Sequence, residues 1–370
     1  MPRSSPGRAA SLPPCAAPLA LAAALLLTAS LPAQAPADPA AMLLGSARRA
    51  YNEKNYPFAA ARFREFLQKF GGHPDANAAR YGLALCLLDG AEKNYDEAAN
   101  LLQPLASARD LPEHAYVLYY LGLAKRGQGV REMAQAAARP QEAAQRRNTA
   151  NQRFGEAAQQ FAAAATAFTA KAKEPPAEAK VLPAEWEWAA RARCDQAEML
   201  LRTGRAKEAR DLAAAFADPK STWAKSRYRN LGAYYHGFAC FLGKDYLAAG
   251  RALNRPALFA DPVFGTHARY LVARLHHLEG EGEEARGQYE AVIADHAKQK
   301  QAAREALRQP ARFHNDPDEK ARLAELAEGP APDHVARATF YLAVLLYEGG
   351  KFADALARLN NFAQQYPRSP

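Results

Sequence analysis

The sequence predicts an all-α fold, a stack of antiparallel helical hairpins, and two observations carry that prediction. Composition is the first. Hydrophobic residues make up 49% of the 370; alanine dominates that share and β-branched residues are sparse. Alanine is the best helix former and β-branched residues favour strands. The charged fraction of 24% argues against wholesale disorder.

The second observation is a short unit that recurs seven times: a turn with Gly or Lys/Asn, an aromatic or small residue, Ala three later, and a larger apolar residue four after that. It reads Lys54-Asn55-Tyr56 with Ala59 and Phe63, then Lys93-Asn94-Tyr95 with Ala98 and Leu102, then Phe154 with Ala157 and Phe161. It continues as Gly204-Arg205-Ala206 with Ala209 and Ala213, Lys244-Asp245-Tyr246 with Ala249 and Leu253, and Gly280-Glu281-Gly282 with Ala285 and Tyr289. The seventh copy is Gly350-Lys351-Phe352 with Ala355 and Leu359. Most copies follow a helix with its own stamp, such as Tyr119-Tyr120-Leu121-Gly122, Tyr234-Tyr235-His236-Gly237 or Tyr341-Leu342-Ala343. Small residues such as Gly122, Gly237 and Ala285 allow two helices to approach closely. One hairpin cannot bury its apolar face alone, so neighbours must stack.

From the N-terminus, residues 1–37 read as a signal peptide. Arg3 and Arg8 form a positive start, Cys15 to Leu31 carries no charge, and Ala33-Gln34-Ala35 is a small-x-small pattern. Cleavage is expected after Ala35 or, because Pro36 is a poor residue there, after Ala37. The strongly apolar Leu19–Leu31 is short for a membrane span, and Cys15 lacks the small-residue context of a lipid-anchor site. Residues 38–126 hold units 1 and 2 and the first helix of unit 3. Residues 127–151 form a Gln/Arg-rich helical insertion broken near Pro140, and 152–170 the second helix of unit 3. A Pro/Lys/Glu linker occupies 171–183, and units 4 to 6 fill 184–297. Residues 298–332 are either a charged helical segment or a degenerate eighth repeat, with breaks expected at Pro310 and Asp316-Pro317. Unit 7 spans 333–370 and is expected to continue beyond the chain end, either into a longer protein or under a partner.

The stamps resemble those of the tetratricopeptide repeat, in which W-x2-L-G-x2-Y is followed by A-x3-F and then P over about 34 residues. Closing prolines at Pro74, Pro219, Pro262 and Pro367 add to the likeness. It implies a superhelical solenoid of about seven repeats, possibly eight, over residues 41–370. The key alanines at 59, 98, 157, 209, 249, 285 and 355 are unevenly spaced, which places insertions between units. The closings Phe66-Leu67-Gln68-Lys69-Phe70 and Phe362-Ala363-Gln364-Gln365-Tyr366-Pro367 are similar to those of bacterial periplasmic repeat proteins. These are the Tol-Pal-associated coordinator of envelope constriction and the outer-membrane assembly type. The resemblance implies an exported scaffold that binds another protein or peptide in the envelope. The alternative is the exported repeat region of a longer protein, with an enzymatic or sensory domain beyond Pro370.

Chemistry is not indicated. The formal net charge is +9, two of it from Arg3 and Arg8, but the basic residues are scattered among acidic ones, as on a solvated helical surface. That distribution gives no reason to expect nucleic acid. His276 and His277 point about 100° apart on a helix and do not clamp one metal. Gly280-Glu281-Gly282 lies in a turn with no strand before it, so the dinucleotide reading fails. His236, His267 and His314 have no positioned carboxylate or nucleophile. No catalytic residue, metal or cofactor is expected. Cys86, Cys194 and Cys240 fall on apolar helix faces, as free buried thiols or as one bridge with an odd thiol.

What remains is a surface. In such arrays the first helix of each hairpin lines the concave face. The expected partner-binding residues are Tyr234, Phe238, His267, Tyr270, Arg274 and Arg337, aromatic and cationic side chains from three successive first helices. Aromatics beside arginines are common hot-spot materials. The competing reading is that the tyrosines merely pack one hairpin on the next.

Overall fold

The computed structural model describes residues 38–176, 178–309, 317–360 and 362–366. The expected signal peptide 1–37 and cleavage sites, His314, Pro310, and the closing 367–370 lie outside them. Among the described residues there is no strand, and no helix is long and apolar enough to cross a membrane.

Seven antiparallel hairpins follow one another. They are α1 (Pro39–Asn52) with α2 (Tyr56–Lys69), α3 (Ala76–Asp89) with α4 (Tyr95–Leu105), α5 (His114–Ala138) with α6 (Ala143–Lys171), and α7 (Ala184–Arg202) with α8 (Ala206–Ala217). Next come α9 (Arg229–Leu242) with α10 (Tyr246–Leu253), a four-residue α11 (Pro256–Phe259), and α12 (Gly265–Leu278) with α13 (Gly282–Leu307). After α14 (Pro317–Glu328), α15 (Asp333–Glu348) pairs with α16 (Phe352–Leu359), and α17 (Phe362–Gln365) follows. Each second helix also packs on the first helix of the next hairpin, as α2 on α3, α8 on α9 and α13 on α15. The chain is therefore an all-α solenoid of the tetratricopeptide type.

The recurring turns have a common cause. Lys54, Gly204, Lys244, Gly280 and Gly350 all take positive φ, between 59° and 80°, the left-handed conformation that ends a helix. The next residue then donates its N–H back to a carbonyl five residues earlier, as Asn55 to Ala50 at 2.9 Å and Lys351 to Leu346 at 2.8 Å. Asn55, Asn94 and Asp245 cap the helix that starts there, accepting from the N–H of Phe58, Glu97 and Ala248. Aromatic pairs five residues apart bridge the turn: Tyr51 with Tyr56, Phe241 with Tyr246, and Tyr347 with Phe352.

Small residues set the helix spacing. A Cβ on Gly122 would sit 2.7 Å from the Phe161 ring, and one on Gly237 would sit 2.5 Å from Leu253. Those two neighbours are the bulky members of units 3 and 5. Ala59, Ala98, Ala157, Ala209, Ala249 and Ala285 are fully buried. So are Leu102, Phe161, Leu253 and Tyr289.

The irregular stretches resolve into extended helices. Residues 127–151 hold the end of α5, a short 3-10 turn at Pro140–Glu142 and the start of α6, so this hairpin projects beyond its neighbours. Residues 298–307 continue α13, and α14 packs back on it through Ala303, Leu323 and Ala327. Cys86, Cys194 and Cys240 are buried and unbridged.

This register makes a differential prediction. Ala249→Leu overpacks a helix contact with no room and should cost about 1–3 kcal/mol. Ala144→Leu, on the exposed hairpin tip, should stay within about 0.5 kcal/mol of wild type. Chemical denaturation followed by circular dichroism checks both, and equal stabilities would refute the register.

Candidate protein-binding groove

Successive first helices place equivalent residues in a row. One row runs Arg191, Leu231, His267 and Arg337; another runs Glu198, Phe238, Arg274 and Val344. Between Arg191, Leu231 and His267 of the first row and Glu198 and Phe238 of the second lies a groove with two lobes that share lining residues, of about 420 and 560 Å³. The first lobe is lined by Leu231, Tyr234, Phe238, Val263, Phe264 and His267. The second turns polar, with Arg126, Arg191, Asp195, Arg227, Tyr228 and Asn230 at its walls.

The apolar lobe is held open by stacked rings. Tyr234 lies against Phe264 at 4.7 Å and 20°, and against Phe238 at 6.2 Å and 26°. The Tyr234 hydroxyl meets Nδ1 of His267 at 2.6 Å, and the Phe238 ring stands edge-on to His267 at 4.9 Å. Val263 is 75% exposed at the lip. Asp261 fixes that lip by accepting from the N–H groups of Val263 and Phe264, at 2.8 and 3.2 Å.

A buried carboxylate organises the polar lobe. Asp195 is 1% exposed and accepts from the Tyr119 hydroxyl at 2.8 Å and from Nε of Arg191 at 2.9 Å. Arg126 reaches Asp195 at 3.5 Å and Glu198 at 3.3 Å, and Glu198 also holds Arg202 at 2.8 Å. Burial opposes the charge on Arg191, but Asp195 outweighs it and raises the guanidinium above its ordinary value. The Tyr119 hydroxyl is pushed up by burial and by the same carboxylate. Neither group titrates near neutrality, so the network is a fixed brace with no proton to transfer.

The structure distributes the six expected residues unevenly. Phe238 and His267 line the groove, and Tyr234 forms its floor while being only 8% exposed. Tyr270 is 7% exposed, with its ring among His267, Tyr289 and His334, and so has a packing role. Arg274 is half-buried: its guanidinium lies 3.7 Å over the Tyr341 ring and bonds the Tyr289 hydroxyl and His277. The reason is that α15 packs directly on α12 and α13, which carry Tyr270, Arg274 and Tyr289. Arg337 is exposed. Sequence periodicity missed Arg227, Val263 and Phe264 because they sit in loops before α9 and α12. It missed Asp195 because a charged residue on a helix face gives no sign that it is buried.

The histidine pair splits, as its spacing requires. His276 meets Glu281 at 2.5 Å, while His277 bonds the Tyr289 hydroxyl and Glu348 at 3.2 Å each. His276, Glu279 and Glu281 gather on the turn after α12 with ligand atoms within 4.8 Å of one another. They are a solvated ion-pair cluster with both carboxylates exposed.

No family model matches the chain, and no curated protein is similar to it in sequence. Solved structures do match. The crystal structure of yeast Tom70 is similar over 89% of this chain and 85% of that one, at 13% identity and a TM-score of 0.22. At that score the likeness carries no argument, and the hairpin architecture rests on the packing described above.

Two histidines beside the groove set an acid limit on stability. Burial, reinforced by Arg337, lowers His267 from 6.5 to about 4. Burial, with His267 and His296 nearby, lowers His334 to about 3. Their rings are 5.1 Å apart, and His334 Nε2 meets the Thr266 hydroxyl at 2.9 Å. The unfolded chain therefore binds protons more tightly than the folded one. The stability these groups allow is complete above pH 6.5 and falls as pH drops from there towards 4 and 3. At pH 5 each should have lost about 2 kcal/mol relative to pH 7. Denaturant midpoints across pH 5–7 measure this, and His334→Gln should flatten the slope; an unchanged slope would refute the assignment.

Proposed function

We propose that the chain is an exported, non-catalytic scaffold that binds another protein of the bacterial cell envelope in the groove lined by α7, α9 and α12. The supporting observation is the apolar lobe itself: open, floored by ordered aromatic rings, and braced on one side by the Asp195 network. Such a preformed surface lowers the ordering cost of binding. Arg126, Arg191 and Arg202 are already neutralised by carboxylates, and the nearby histidines are held neutral by burial. That set suits recognition and offers no nucleophile with an activating base. Export rests on the charge pattern and small-x-small site of residues 1–37, and the envelope setting on the likeness to periplasmic repeat proteins.

Two measurements test this reading. Intact-mass analysis of the protein secreted from an expressing bacterium should show a start at Pro36 or Asp38; retention of Met1 in the soluble cytoplasm would refute export. Affinity capture from envelope extract should recover a partner that Phe238→Ser loses, by about 2 kcal/mol of binding or more, with the helical spectrum unchanged. Capture insensitive to Phe238 would place the partner on another surface.

A further inference from the structure

We infer that the groove takes an extended acidic segment in which one large apolar side chain is flanked on both sides by Asp or Glu; this rests on the groove being the binding surface. Most charges at the groove are already committed: Asp195 to Tyr119, Arg191 and Arg126, Glu198 to Arg126 and Arg202, and Asp261 to the backbone of its own loop. Two exposed arginines remain, Arg227 before α9 with one long contact to Glu187, and Arg337 on α15.

Arg227 is 67% exposed, with Nε 4.0 Å from Glu187. Glu187 already accepts from the Ser226 hydroxyl at 2.6 Å and the Arg227 N–H at 3.1 Å. The Arg227 guanidinium rests 4.9 Å over the Tyr228 ring, which keeps its edge free for a carboxylate. On the far side, Arg337 lies one turn along α15 from His334, whose ring is 5.1 Å from that of His267. Among the described residues it has no carboxylate partner. His267, between the two arginines, is buried against Tyr234 and stays neutral, so it adds no competing charge to the slot. A cationic segment would meet two exposed guanidinium groups, Arg227 with only a 4.0 Å contact to Glu187 and Arg337 with no carboxylate among the described residues; an acidic one is drawn to both. A wholly polar segment would leave Leu231, Phe238, Val263 and Phe264 against water.

Geometry sets the segment length. Arg227 precedes α9 and Arg337 lies on α15, with α12 between. Two interhelix steps of roughly 9 Å are spanned by about six residues of extended chain at ~3.3 Å each.

Fluorescein-labelled decapeptide pools test the assignment on the full chain by anisotropy. The first pool carries Asp/Glu on both sides of a central Leu/Phe, about five or six residues apart. The second carries Lys in place of the acids, and the third Ser in place of Leu/Phe. We expect the first to bind roughly tenfold or more tightly than either of the others, and to weaken with added salt. The double variant Arg227→Glu/Arg337→Glu should reverse the preference between the first two pools. Both side chains are exposed, and circular dichroism checks that the variant keeps its helical fold. Equal binding of the acidic and lysine pools, or acidic binding untouched by the double variant, overturns the inference. So does binding of a labelled thymidine 20-mer as tight as that of the acidic pool. If instead the lysine pool binds and Phe238→Ser abolishes it, the groove remains the binding surface and only its charge preference is wrong.

Discussion

Close approach between helices, set by alanine and glycine at the contact, is the constraint from which the rest of this structure follows. Where Gly122 and Gly237 meet Phe161 and Leu253, there is no space even for a methyl group. Helices this close leave Phe63, Leu102, Phe161, Leu253 and Tyr289 deep in the stack. Each hairpin therefore buries its apolar face against its neighbours. Equivalent residues on first helices fall into rows for the same reason, and the groove lies between two such rows.

Burying a carboxylate in such a stack is costly unless every lone pair is used. Asp195 meets that condition through Tyr119 and two arginines, drawn from α5 and α7. The brace ties a projecting hairpin to the middle of the solenoid and forms one wall of the groove. It also removes three of the local arginines from availability, since Arg126, Arg191 and Arg202 all face Asp195 or Glu198. The arginines left most exposed near the groove are Arg227 and Arg337, so the local charge is not the net charge of the chain.

Much of the fold was legible in the sequence because helix turns and helix contacts have local signatures. The positive-φ positions Lys54, Gly204, Lys244, Gly280 and Gly350 all lie in the turns that the recurring unit marked. The alanines three residues beyond each aromatic or small residue are the buried contacts. The charged stretch after residue 297 was ambiguous, because an amphipathic pattern reads the same in a separate hairpin and in a prolonged helix. In the structure α14 packs back onto the extended α13. The candidate surface was half legible: Tyr234, Phe238 and His267 were named and lie at the groove. Tyr270 and Arg274 were named for the same reason and are taken up by packing against α15.

By itself, the sequence determined helix identity, hairpin register and the positions of close contact, since each depends on side-chain size and backbone preference within a few residues. Tertiary structure alone decided which tyrosines are buried, which arginines are spent, and that residues 261–264 form the groove's lip. Those outcomes depend on neighbours tens of residues away, such as Tyr119 against Asp195 and His267 against His334. A side chain's exposure and its ion-pair partner are properties of the assembled stack, and no local pattern encodes them.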